Sequence, residues 1–68
     1  MKDFGLTERQ LEVLRCVWLG FTDKAAAAEL SIAEATIGAH LTTIYIRLGV
    51  ESRVAAALWY ERHVVRTS

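Results

Sequence analysis

The stretch EATIGAHLTTIYIRLGV, residues 34–50, limits the fold more than any other part of the chain. Its apolar residues Ile37, Leu41, Ile44 and Leu48 recur at steps of four, three and four, the spacing of one face of an α-helix. Gly49 follows as a stop, and Val50 is placed to pack back over the last turn. The opposite face carries Ala35, Ala39, Thr42, Thr43 and Ile46, none of them charged. One side of this helix therefore calls for a core, while the other is a small-residue surface without a lysine or arginine on it.

Three more helices are expected around it. In TERQ the Thr7 hydroxyl and Gln10 have the form of a capping box. Leu11, Leu14, Trp18 and Phe21 then follow at helical steps as a core-facing stripe. A second helix opens at Thr22, runs through DKAAAAEL and breaks at Ser31. The quoted helix spans about 34–48, and a fourth starts at Ser52. From Val54 to Tyr60 the fourth is apolar without interruption. One small core cannot cover every side of such a helix, so a second copy of the chain is the expected cover, through Ala55, Leu58, Trp59 and Arg62. The competing reading is that alanine is neutral about exposure, which leaves only Leu58, Trp59 and Tyr60 to explain, with Trp59 and Tyr60 completing the monomer core. No run alternates long enough for a strand, and the expected class is all-α.

With 68 residues the chain makes one domain, 1–68, with ends at 1–5 and 64–68 expected to fray. Apolar residues form 53% of it, high for so small a body, which again points to self-association. Eight basic residues balance eight acidic ones. Nucleic-acid domains are usually basic, because phosphate neutralisation supplies most of their non-specific affinity. Any DNA binding must therefore come from local placement. The single cysteine, Cys16, fits a reducing cytoplasm and reads as a small buried hydrophobe. There is no signal-peptide pattern or membrane-spanning run. An enzyme is not expected, for there is no glycine loop or acid–base pair and little chain to build a cavity. No cofactor or metal is expected. His40 reads as a hydrogen-bonded structural histidine, with no ligand-spaced partner.

Two helices joined by a short turn, with small Ala27 in the first and branched Ile37 in the second, describe a helix-turn-helix. The wider string is more specific. Leu6-Thr7, then Glu12-Val13-Leu14, Gly20, Lys24, Thr36-Ile37, His40, Ile44, Arg47-Leu48-Gly49-Val50 and Ser52-Arg53 fall in order over residues 6–57 without a gap. This pattern resembles the LuxR/GerE-type helix-turn-helix of bacterial response and quorum-sensing regulators. The last domain of sigma factors shares the start, but the Leu-Gly-Val and Ser-Arg steps favour LuxR/GerE. The resemblance implies a four-helix bundle whose third helix enters the major groove of double-stranded DNA. It also implies a fourth helix that pairs two copies on an inverted repeat.

The sequence departs from that family on its working surface. Gly38 and Thr42 stand where basic residues are usual, and Ala33 replaces a Ser/Thr cap. Ala26 replaces a larger aliphatic residue. The candidate DNA-binding residues are Thr22, Lys24, Thr36, Gly38, Ala39, Thr42, Thr43, Arg47 and Arg53. Thr22 and Thr36 sit at helix N-termini, where backbone N–H groups attract phosphate. Lys24, Arg47 and Arg53 bring charge, and Arg53 is equally an anchor for the fold. Ala39, Thr42 and Thr43 can touch thymine methyls or make one hydroxyl bond. The expectation is a cytoplasmic transcriptional regulator that binds DNA weakly and as a homodimer. The alternative is a degenerate helix-turn-helix that docks on another transcription regulator as an anti-activator or co-regulator.

Overall fold

The computed structural model describes residues 4–67, and all regular structure among them is helical. Residues 1–3 and 68, part of the ends expected to fray, lie outside the described residues. The helices are α1 (Glu8–Trp18), α2 (Asp23–Leu30), α3 (Glu34–Leu48) and α4 (Arg53–Tyr60). A π-helical turn, Glu61–Val65, extends α4, and the Arg66 N–H donates to the Glu61 carbonyl across it at 2.9 Å.

Side-chain hydroxyls start three of these helices. The Gln10 N–H donates to the Thr7 hydroxyl at 3.1 Å while the Thr7 N–H donates to Gln10 Oε1 at 2.9 Å, completing the capping box. The Ala25 and Ala55 N–H groups donate to Thr22 and Ser52 at 3.0 and 3.1 Å. The exception is α3, whose extended cap residue, Ala33, offers no side-chain acceptor. A serine there satisfies one orphan N–H, worth about 1 kcal/mol. Ala33→Ser is therefore expected to raise the melting temperature by about 4–8 °C, read by circular dichroism. An unchanged transition would mean that the start of α3 already has its partners.

Ser31 ends α2 in the left-handed region, at φ 58°. The Ile32 N–H bonds back to the Ala27 carbonyl at 3.0 Å, and this corner turns the chain into α3. Gly49 ends α3 at φ 69°, a conformation that glycine adopts without a Cβ penalty. Val50 then bonds back to Tyr45 at 3.0 Å and lies half-buried.

Helix α1 packs on α2, α3 and α4, so it is the centre of the bundle. That central place widens its buried arc beyond the expected stripe. Val13, Leu14, Cys16 and Val17 are buried, while Leu11, Trp18 and Phe21 are half-buried around them. The core is completed by Leu6, Ala26, Ala27, Ile37, Leu41, Ile44, Ala56 and Tyr60.

Burial raises the pKa of the Cys16 thiol from its ordinary 9.0, with the Glu29 charge adding to the shift, and burial likewise raises the Tyr60 phenol above 10.0. Each group stays neutral in the folded chain over a range where it ionises in the unfolded one. Stability is then level below the unfolded thiol's pKa and falls as pH rises through the folded values. Urea titrations from about pH 7 to about pH 11 are expected to show a loss that begins near pH 9.0, as the unfolded thiol ionises, and to which the unfolded phenol adds from 10.0. A flat profile across that range would contradict the burial of both groups.

Phe4, near the start of the described residues, meets the end of α4 and the π-helical turn. Phe4 stacks edge-on against Trp59 with ring centroids 4.7 Å apart, and His63 lies 4.5 Å from Trp59 on the same cluster. Val64 and Val65 sit half-buried against the core. Trp18 Nε1 donates to Glu61 Oε1 at 2.8 Å and its ring lies 5.4 Å from that of Tyr60, so the π-helical turn is tied to the end of α1.

Candidate nucleic-acid interface

Helices α2 and α3 pack against each other around the Ser31 corner, with Ala26 and Ala27 of α2 buried. Ile37, Leu41 and Ile44 bury the inner face of α3. What α3 shows outward follows from that choice. Ala35, Thr36, Ala39, Thr42, Ile46 and Arg47 are exposed, and Gly38 and Thr43 are half-exposed beside them. Ile46 is 76% exposed, the most exposed of the large hydrophobic residues. His40 is half-buried on the flank of the core stripe and makes no hydrogen bond with its ring among the described residues, contrary to the expected bonded histidine.

The three cations expected at this surface have different fates. Lys24 is exposed in the first turn of α2 and makes no ion pair among the described residues. Arg53 is an internal tie: Nη1 donates to Asp23 Oδ1 and Nη2 to the Phe21 carbonyl, both at 2.7 Å. It joins the first turn of α4 to the α1–α2 corner, which favours the anchor over the phosphate ligand of the two sequence readings. The same bond offsets the Asp23 carboxylate at the start of α2, next to Lys24. Arg47, at the end of α3, donates through Nη1 to the Gly5 carbonyl. Its charge remains at the surface, but one face of the guanidinium is committed to the N-terminal turn.

The hydroxyls at the site are also partly committed. Thr22 accepts its capping bond. Thr42 donates to the Gly38 carbonyl at 3.1 Å, and Thr43 to the Ala39 carbonyl at 3.4 Å. Thr36 stands exposed in the first turn of α3, near N–H groups that no cap side chain covers. Gly38 has an ordinary negative φ, and a Cβ built on it would meet nothing within 4 Å. A larger side chain there would project freely.

On α4 Leu58 is 52% exposed and Ala55 half-buried, and Arg62 is exposed on the π-helical turn that follows. Trp59 is half-buried and meets Phe4 and His63 of its own chain. Tyr60 is buried against Trp18. Sequence reasoning passed over Val54, which is 70% exposed one helical turn before Leu58. Their spacing of four was the signal, and the two form the apolar part of this face. No helix among the described residues is long and apolar enough to cross a membrane.

Comparison with known proteins fits this arrangement. The family model for bacterial regulatory proteins of the luxR family matches residues 5–60. A nitrate/nitrite response regulator protein homolog of Haemophilus influenzae is 41% identical over 60 residues, covering 87% of this chain and 29% of that protein. The transcriptional regulatory protein YdfI of Bacillus subtilis is 41% identical over 51 residues, 75% of this chain and 24% of that protein. The nitrate/nitrite response regulator protein NarP of Escherichia coli is 40% identical over 55 residues, 81% of this chain and 26% of that protein. The chain thus spans about a quarter of the length of these curated relatives. The family is one of regulators and not of enzymes. With its helical order, its Ser31 corner and a match over most of its length, the chain belongs to the luxR family of bacterial regulatory proteins.

Proposed function

We propose that this domain acts in the bacterial cytoplasm as a transcriptional regulator that binds double-stranded DNA as a homodimer. The carrying observation is the packing of α2 on α3 around Ser31, which leaves the outer face of α3 open in a chain of a regulator family. In this reading α3 lies in the major groove. The starts of α2 and α3, with Thr22, Lys24 and Thr36, meet phosphate, and α4 pairs through Val54 and Leu58. Intrinsic affinity is weak, since Lys24 is the cation left clear near the helix starts and the chain has no net charge.

Fluorescence anisotropy of a mixed-sequence duplex, at protein concentrations up to about 100 μM and salt from about 50 to 200 mM, tests this. Binding that weakens steeply with salt is expected. Absence of binding at the lowest salt would overturn it. Gly38→Lys supplies a charge at an open position, so it is expected to tighten DNA binding and to steepen the salt dependence by about one phosphate contact.

One observation favours a second reading, in which α3 docks on another transcription regulator. Ile46 continues the neutral strip of Ala35, Ala39 and Thr42 with a broad exposed apolar side chain. Binding to such a regulator that is indifferent to salt and lost in Gly38→Lys would support it.

A further inference from the structure

We propose that α3 discriminates base pairs by their methyl groups: it favours A·T pairs through the thymine 5-methyl and the adenine 6-amino group, and reads guanine poorly. The inference deepens the DNA-binding reading above and rests on it.

In the major groove guanine presents two acceptors, N7 and O6, so a side chain must donate to recognise it. The outward face of α3 is short of donors. A hydroxyl has a single hydrogen, and those of Thr42 and Thr43 are given to the carbonyls of Gly38 and Ala39, one turn back in the same helix. Outward, these oxygens accept, which suits the adenine N6 or cytosine N4 amino group and repels guanine N7 and O6. Arg47 is the one lysine or arginine of α3; it stands in the last turn, beyond the strip from Ala35 to Ile46, with one of its N–H groups given to the Gly5 carbonyl. Thr36 keeps an unspent hydroxyl, but in the first turn, beside the N–H groups that face phosphate. His40 lies on the flank next to the core.

What the face does offer is methyl groups: the Cβ atoms of Ala35 and Ala39, the γ-methyls of Thr42 and Thr43, and the side chain of Ile46, one turn beyond Thr42. Thymine is the natural base that meets such a surface with a methyl of its own. Both surviving interactions, methyl contact and acceptance from an amino group, are satisfied together by an A·T pair. A G·C pair supplies the cytosine amino group without the methyl.

The test alters the DNA and leaves the protein intact. Four duplexes of equal length are compared at low salt by anisotropy: alternating d(A-T), the same with deoxyuridine for thymidine, alternating d(G-C), and the same with 5-methylcytosine. Deoxyuridine removes only the methyl group. The expected loss is about fourfold for each methyl in contact, hence about tenfold or more for the whole site, and 5-methylcytosine is expected to recover part of it. Ile46→Ala, at a position too exposed to carry the fold, is expected to shrink the thymine-to-uracil ratio. Equal binding to the thymine and uracil duplexes would overturn methyl reading while leaving DNA binding in place. Failure to bind any of the four would overturn the DNA-binding reading, and this inference with it.

Discussion

Leu58→Asp is expected to leave the chain folded, to abolish self-association and to weaken binding to a two-fold symmetric DNA site by about 100-fold or more. Leu58 is 52% exposed, so it contributes little to the monomer core, and Val54, 70% exposed, stands one turn before it. A carboxylate at the centre of an apolar contact between two copies of α4 would lie desolvated against its own symmetry mate. Losing the dimer then converts a second, intramolecular half-site contact into an independent one, and the avidity is lost. Sedimentation equilibrium of parent and variant, with a melting curve as control for folding, reads both effects. A parent chain that stays monomeric at high concentration would remove α4 as the dimer helix, and so would a variant that binds DNA as tightly as the parent.

The second large effect is on stability, and α3 carries its own control. Ile37 is 0% exposed beneath the helix, while Ile46 is 76% exposed on top of it. Ile37→Ala removes a buried side chain and leaves a cavity, at about 2–5 kcal/mol. In a domain of this size that lowers the melting temperature by about 10 °C or more. Ile46→Ala makes the same chemical change in the same helix and is expected to stay within about 0.5 kcal/mol of the parent. Helix propensity is identical in the two variants, so the difference isolates burial. Thermal melts that move together would mean that α3 lies with another face inward.

Much of the fold was legible because its determinants are local. The Thr7, Thr22 and Ser52 hydroxyls cap helices within three residues of themselves, and Gly49 stops α3 one residue after its last apolar contact. The inner face of α3 follows from spacing alone. The departures involve side chains whose partners lie far along the chain. An arginine reaches several ångströms in any direction, and the sequence says nothing of where the loops will put a carbonyl. Arg53 ends on Phe21 and Asp23, some thirty positions away, and Arg47 on Gly5, more than forty away. Trp59 was expected at an interface because α4 is apolar all round. Part of that excess is instead met by Phe4, from a stretch too short to show any periodicity, and by His63 on the π-helical turn. The buried arc of α1 is wider than the stripe of Leu11, Leu14, Trp18 and Phe21, because the helix has three neighbours and a single stripe serves one.

In the DNA-bound dimer proposed above, the Arg53 tie would also bear on how operators are chosen. It fastens the first turn of α4 to the corner from which α2 departs, and α2 in turn carries α3. In a pair of chains joined through α4, the two groove helices are then held at a fixed phase and do not swing on tethers. Each base pair added between half-sites turns one of them by about 36° around the duplex, given about 10 base pairs per turn. A rigid pair cannot follow that rotation. Two perfect half-sites at the wrong spacing would count as one, and the length of the spacer becomes part of the recognised message even though no side chain touches it.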